Sequence, residues 1–90
     1  MQISFDSEKR AKTLLERGLD FADADKVFAS AVATRPDDRK DYGEKRFITF
    51  GILDGNVVVI VWTPRNDAYR IISMRHANER ERHIYQQFLG

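Results

Sequence analysis

The run NVVVIVWTPRNDAYRIISMRH, Asn56 to His76, constrains this chain more than any other stretch. Val57 to Trp62 is apolar at consecutive positions, so a strand built from it needs cover on both faces and belongs in the middle of a sheet. Pro64 removes a ladder donor, which predicts a strand over Val57 to Thr63 that stops there. Asn66-Asp67 reads as a turn and Tyr69 to Met74 as the next strand. Its alternation sets Arg70, Ile72 and Met74 on one parity and Tyr69, Ile71, Ser73 and Arg75 on the other. The two strands finish near polar and basic groups, Thr63 and Arg65 on one, Ser73, Arg75 and His76 on the other.

The remaining elements follow from periodicity and caps. Gln2 to Phe5 alternates as a short strand. Asp6 or Ser7 starts a helix over about 7–17, with Glu8 favourable at its N-terminus and Gly18 as its stop. Asp20 caps a second helix of about 21–30, whose apolar set is Phe21, Ala24, Val27, Phe28 and Ala31. The Gly18 turn makes the pair a helical hairpin. Val32 to Thr34 is a short strand, Asp37 to Glu44 a charged loop, and Arg46 to Leu53 an alternating strand. Asp54-Gly55-Asn56 marks a hairpin. Asn78 with Glu81 is a capping-box start for a last helix reaching about Leu89. The order β-α-α-β-β-β-β-α predicts an α+β fold. It is an antiparallel β-meander with an N-terminal helical hairpin and a C-terminal helix, helices mainly on one face. The other face is then partly open and lined by the parity of Tyr69, Ser73 and Arg75.

Ninety residues make one domain with a modest core. There is no cysteine, so neither a disulfide framework nor a thiolate metal site is available, which is compatible with a cytoplasmic location. The first residues hold no apolar signal core, and no window is long enough to span a membrane. A formal net charge of +1 argues against a protein whose whole surface binds polyanions and leaves a local basic patch. No glycine-rich phosphate loop and no metal-ligand spacing are present, so no cofactor is expected.

Three segments, FDSEKRAKTLLERGLDFADADKVF, DYGEKRFITFGILDGNVVVIVWTPR and YRIISMRHANERERHIY, together resemble the BrnT toxins. The resemblance covers nearly the whole chain and is carried by YGE-R, by T-x-R after the central strand and by RIIS-x-R-x-A. It implies a RelE-like fold and RNA cleavage by the toxin of a type II toxin–antitoxin module. It further implies inhibition by a cognate BrnA-like ribbon-helix-helix antitoxin, with operator DNA contacted only through that antitoxin. Two departures stand out. Where the family usually has Asn-x-x-Lys-His-Gly at the end of the first helix, this chain has Thr13, Glu16, Arg17 and Gly18, so acid–base chemistry of that His does not transfer to Arg17. Met74 stands where the family often has Ala.

RNA cleavage without a metal needs a base for the 2′-hydroxyl, cations for the phosphate and an acid for the leaving 5′-oxygen. The expected products are a 2′,3′-cyclic or 3′-phosphate and a 5′-hydroxyl. Arginine suits the phosphate, because its planar fork donates two hydrogen bonds and stays charged. Arg65 and Arg75 are the first candidates; for Arg75 the bland reading is an ion pair with Glu79 or Glu81. Acid–base candidates are His76, Glu44 and Tyr42. Arg70, Arg46 and Lys12 are expected to add RNA contacts, with Lys9 and Arg17 near one side of the first helix. Trp62 reads as core, and His83 as solvated helix surface. The competing reading is a non-catalytic nucleic-acid or protein binding module.

Overall fold

In the computed structural model, which describes residues 2–87, one mixed five-stranded sheet carries helices on both faces. The strands are β1 (Gln2–Phe5), β2 (Ala33–Pro36), β3 (Phe47–Leu53), β4 (Asn56–Arg65) and β5 (Ala68–His76). The helices are α1 (Ser7–Arg17), α2 (Ala24–Ala29) and α3 (Glu79–Gln86). The α+β class and the antiparallel β2–β5 succession hold, but β1 pairs in parallel with β5, so the sheet order is β1-β5-β4-β3-β2 and the sheet is not a pure meander.

Local chemistry sets the boundaries. The Asp6 carboxylate accepts from the Glu8 and Lys9 backbone N–H groups, and Gly18 closes α1 at φ 69°. Asp20 caps a 3-10 turn at Phe21–Asp23 that leads into α2, so the second expected helix is split. The Asp54-Gly55 and Asn66-Asp67 turns both hold two positive-φ residues, the two-residue hairpin geometry that matches strand twist. The Asn78–Glu81 capping box forms as anticipated. The reach of that last helix to Leu89 falls outside the described residues.

Two expectations about β4 and β5 fail for identifiable reasons. First, β4 runs through Pro64 to Arg65. Its pairing with β3 stops at Trp62, so past that point it has a neighbour on one side only, where proline is tolerated. Second, a bulge inserts Ile72 into β5: Val61 faces Ser73 while Trp62 faces Ile71. The alternation slips there. Ile71 and Met74, three apart, enter the same core, together with Tyr69. Tyr69 therefore leaves the open face predicted for it and stacks on Phe28 at 4.4 Å.

The sheet is covered unequally. On the α1–α2 side, Phe21 and Val27 from the helical layer meet Ile60, Ile71 and Met74 of the sheet, all fully buried. Gly51 lets α2 sit directly on β3, since a Cβ there would stand 2.7 Å from Val27 Cγ1. The opposite face holds Ile48, Phe50, Val57, Val59 and Val61. Here α3 packs on the β2–β4 side, with Tyr85 stacked on Phe50 at 4.2 Å. Helices thus lie on both faces, because Val57 to Val61 is apolar on both parities and each parity finds its own cover.

Candidate active site

The part of this second face that α3 leaves open lies toward the β4–β5 turn. There Thr63 pairs with Arg70 and Arg65 with Ala68, so Arg65 and Arg70 are diagonal neighbours, about 7–8 Å apart at the backbone. Arg46, immediately before β3, and Glu44 approach from the β2–β3 loop, while Asp6 and Lys9 approach from the start of α1. Together with Ile71 and Ile72 these residues line a small polar cleft of about 140 Å³. Its walls bring four cations to two carboxylates.

The Glu44 carboxylate is the pivot. Arg46 Nε donates to Oε2 at 3.1 Å and an Arg65 terminal nitrogen donates to Oε1 at 3.0 Å. The Arg46 hydrogen bond and the Arg65 pair hold Glu44 below the usual carboxylate range. Arg70 makes no ion pair or hydrogen bond among the described residues, and its charge is felt by Asp6, whose carboxylate lies below its ordinary value chiefly through the Lys9 backbone N–H. Thr63, fully buried beside them, donates to the Lys45 carbonyl at 2.6 Å and ties the β2–β3 loop to β4.

The sequence-predicted residues divide between this cleft and other places. Arg65, Glu44, Arg46 and Arg70 converge. Tyr42 stands behind them, with the Arg46 guanidinium 4.0 Å above its ring. Arg75 lies opposite Val59, about 20 Å along β4 from Arg65 at the usual strand rise. It grips Glu81 of α3 through two hydrogen bonds of 2.7 and 2.9 Å, the ion pair that the bland reading anticipated. His76 ends β5 opposite Val58, at the far end from the turn, and is exposed. Lys12 is exposed on α1 and does not line the cleft, whereas Lys9 does. Arg17 donates to the Met74 carbonyl at 2.9 Å, pinning α1 to β5. Trp62 is half-buried against the core, its indole N–H donating to Thr49 Oγ1 at 2.8 Å. Among the described residues no three His, Cys, Asp or Glu side chains gather in a way that would hold a metal ion.

Asp6 was foreseen only as a helix cap, and its place at the cleft depends on the parallel β1–β5 pairing, which no local signal encodes. Asp37 was hidden in a charged run, yet its side chain is wholly buried and receives Arg39 Nε and a terminal nitrogen, each at 2.7 Å.

A family described as "Ribonuclease toxin, BrnT, of type II toxin-antitoxin system" matches residues 5–81. The chain belongs to this family. The matched span contains every residue lining the cleft and both members of the Arg75–Glu81 pair. BrnT membership makes the chain a type II ribonuclease toxin and implies an RNA substrate and an antitoxin partner. No curated protein matches the chain significantly. No helix among the described residues is long and apolar enough to cross a membrane.

Proposed function

We propose that this BrnT toxin cuts RNA in the cleft between the β4–β5 turn and the start of α1, without a metal. The observation carrying this reading is the convergence of Arg46, Arg65, Arg70 and Lys9 around Glu44 on uncovered sheet. Glu44 holds two guanidinium groups where a phosphodiester is to bind, and an incoming phosphate competes for them. As Arg65 turns to the phosphate, Glu44 loses a partner and its proton affinity rises, which suits it to take the 2′-hydroxyl proton. The 2′-oxygen bonds to phosphorus, the arginines stabilise the charge on the equatorial oxygens, and the bond to the 5′-oxygen breaks. That oxygen takes a proton from solvent at the open cleft. The products are a 2′,3′-cyclic phosphate and a 5′-hydroxyl.

In this reading Tyr42 supports Arg46 rather than exchanging protons. Arg75 fastens α3, and His76 lies outside the reacting centre. The antitoxin is a BrnA-like ribbon-helix-helix protein that occludes Arg65 and Arg70, and operator DNA is held through it. The toxin acts as a single domain in the cytoplasm, with the RelE-like fold that the resemblance implies. One observation favours the alternative of a non-catalytic binding module: the carboxylate in the cleft is already held by two arginines. The deciding experiment incubates folded protein with single-stranded RNA in EDTA and maps the ends. Cyclic-phosphate and 5′-hydroxyl ends support the proposal; intact RNA favours the module.

A further inference from the structure

A second hollow adjoins the cleft. It lies between the 37–46 loop and the start of β3, holds about 400 Å³, and shares Glu44 and Arg46 with the cleft as walls. Much of its remaining surface is apolar, because Pro36, Tyr42 and Phe47 supply a pyrrolidine and two aromatic rings. That size, and an apolar lining with polar groups at the rim, suit a small flat ligand. The cleft itself holds about 140 Å³ and is walled by cations. A cationic cleft and an aromatic hollow with a common wall match the two halves of a nucleotide, its phosphate and its base.

Direct contacts hold the hollow in shape. The Asp37 backbone N–H donates to the Arg46 carbonyl at 2.8 Å, and Thr63 Oγ1 donates to the Lys45 carbonyl at 2.6 Å, so the loop is tied down near both ends. The Asp41 carboxylate accepts from the Gly43 backbone N–H at 2.9 Å, and Gly43 takes φ 72°, a turn with Tyr42 at its centre. The Arg46 guanidinium lies 4.0 Å from the Tyr42 ring centroid, and Phe47 stacks on Trp62 at 4.9 Å. Both rings are therefore ordered before a ligand arrives, which removes part of the cost of binding. Lys40 holds its ammonium 5.1 Å from the Tyr42 ring. It is exposed and makes no hydrogen bond or ion pair among the described residues, so a base displaces it easily.

We infer that this hollow receives the base of the nucleotide whose phosphate enters the cleft, with the Tyr42 ring as its stacking platform. The assignment rests on the cleft proposed above as the cleavage site. A base inside a duplex is stacked on its neighbours and cannot enter, so the hollow selects unpaired RNA. Stacking by itself accepts every base, since each has a π face.

Mononucleotides test this without any cleavage. Folded protein is titrated with the 3′- and 5′-monophosphates of the four nucleosides, and with ribose 5-phosphate, which lacks the base; amide chemical shifts follow binding. The best nucleotide should bind at least about fivefold tighter than ribose 5-phosphate, the low end for one stacked base, and should move the amides of residues 40–47. In Tyr42→Ala the ratio of the two affinities should fall to about one, while Tyr42→Phe, which keeps the ring, should preserve it. Taking the ratio cancels any loosening of Arg46, which weakens both ligands alike. Equal affinities in the wild type would overturn the assignment and leave the hollow to a protein side chain, such as one from the antitoxin. A ratio unchanged in Tyr42→Ala would overturn it as well. Arg65→Ala isolates a failure of the cleft: if ribose 5-phosphate binds that variant as tightly as wild type, the phosphate sits elsewhere, and the ratio still judges the hollow. Should Tyr42→Ala not fold, Tyr42→Leu, which fills the space without a π face, takes its place with the same outcomes.

Discussion

Replacing Glu81 by Ala tests whether Arg75 is a fastening for α3. In the native protein the carboxylate receives two hydrogen bonds from Arg75, at 2.7 and 2.9 Å, and one from the Asn78 backbone N–H at 2.9 Å. The Glu81 side chain is 16% exposed, but Arg75 is 40% exposed, so solvent screening discounts the pair to about 1 kcal/mol. The reciprocal half of the capping box adds about 0.5–1 kcal/mol. The sum, about 1.5–2 kcal/mol, lowers the melting temperature of a domain this size by about 6–16 °C. Glu81→Gln, which keeps an acceptor for Asn78, should lose about half as much. The pH dependence has a definite sign. Hydrogen bonding to Arg75 holds the folded Glu81 below its ordinary value of 4.5. The stabilisation is therefore fully present above that value and is lost as pH falls below it. Thermal melts of wild type and Glu81→Ala, followed by circular dichroism from neutral to acid pH, should converge at the acid end. A variant melting within about 2 °C of wild type at neutral pH would refute the account of this contact.

Three other perturbations probe the frame and the cleft. Gly51→Ala drives a Cβ into the Val27 carbonyl and Cγ1, so α2 must lift from β3; a stability loss of about 2–3 kcal/mol in urea is expected, and an unchanged midpoint would mean that α2 is not seated there. Thr49→Val strands the Trp62 indole N–H, because Thr49 Oγ1 is its acceptor and shares a 2.9 Å hydrogen bond with Thr34. It should cost about 1–3 kcal/mol in melts read by tryptophan fluorescence, and wild-type stability would contradict that pairing. RNA affinity should fall with salt at a log–log slope of about −2 for three phosphate contacts, and Arg70→Ala should flatten it by about 0.7. Salt-independent binding would remove phosphate recognition from the account.

Much of the frame was legible because it is encoded locally. Asp6 and Gly18 delimit α1, Asp54-Gly55 and Asn66-Asp67 delimit the hairpins, and Asn78 with Glu81 starts α3. Each is a short-range signal with one physical reading. What failed is non-local. The pairing of β1 with β5 spans most of the chain, and nothing in Gln2 to Phe5 states its direction. The extra residue at Ile72 has no marker in IIS, yet it sends Tyr69 and Met74 to the same core. The permissive place of Pro64 depends on where β3 begins. The same division runs through the cleft. Arg65, Arg70, Arg46 and Glu44 were visible as residue types near strand ends. The Arg75–Glu81 pair was one of the two readings the sequence offered for that arginine, and packing decides between them; that Lys9 and Asp6 arrive across β1 and that Asp37 is buried are consequences of packing alone.

The central claim is that the guanidinium groups beside the β4–β5 turn, and not those near α3, hold the phosphate that is cut. Single-turnover cleavage of one RNA in EDTA, by folded Arg65→Ala, Arg70→Ala and Arg75→Ala at a temperature where all three are native, tests it directly. The account predicts losses of about 10²-fold for the first two, by analogy with removing one charge-stabilising donor, and little change for the third. Wild-type rates for Arg65→Ala and Arg70→Ala, with the loss confined to Arg75→Ala, would contradict it.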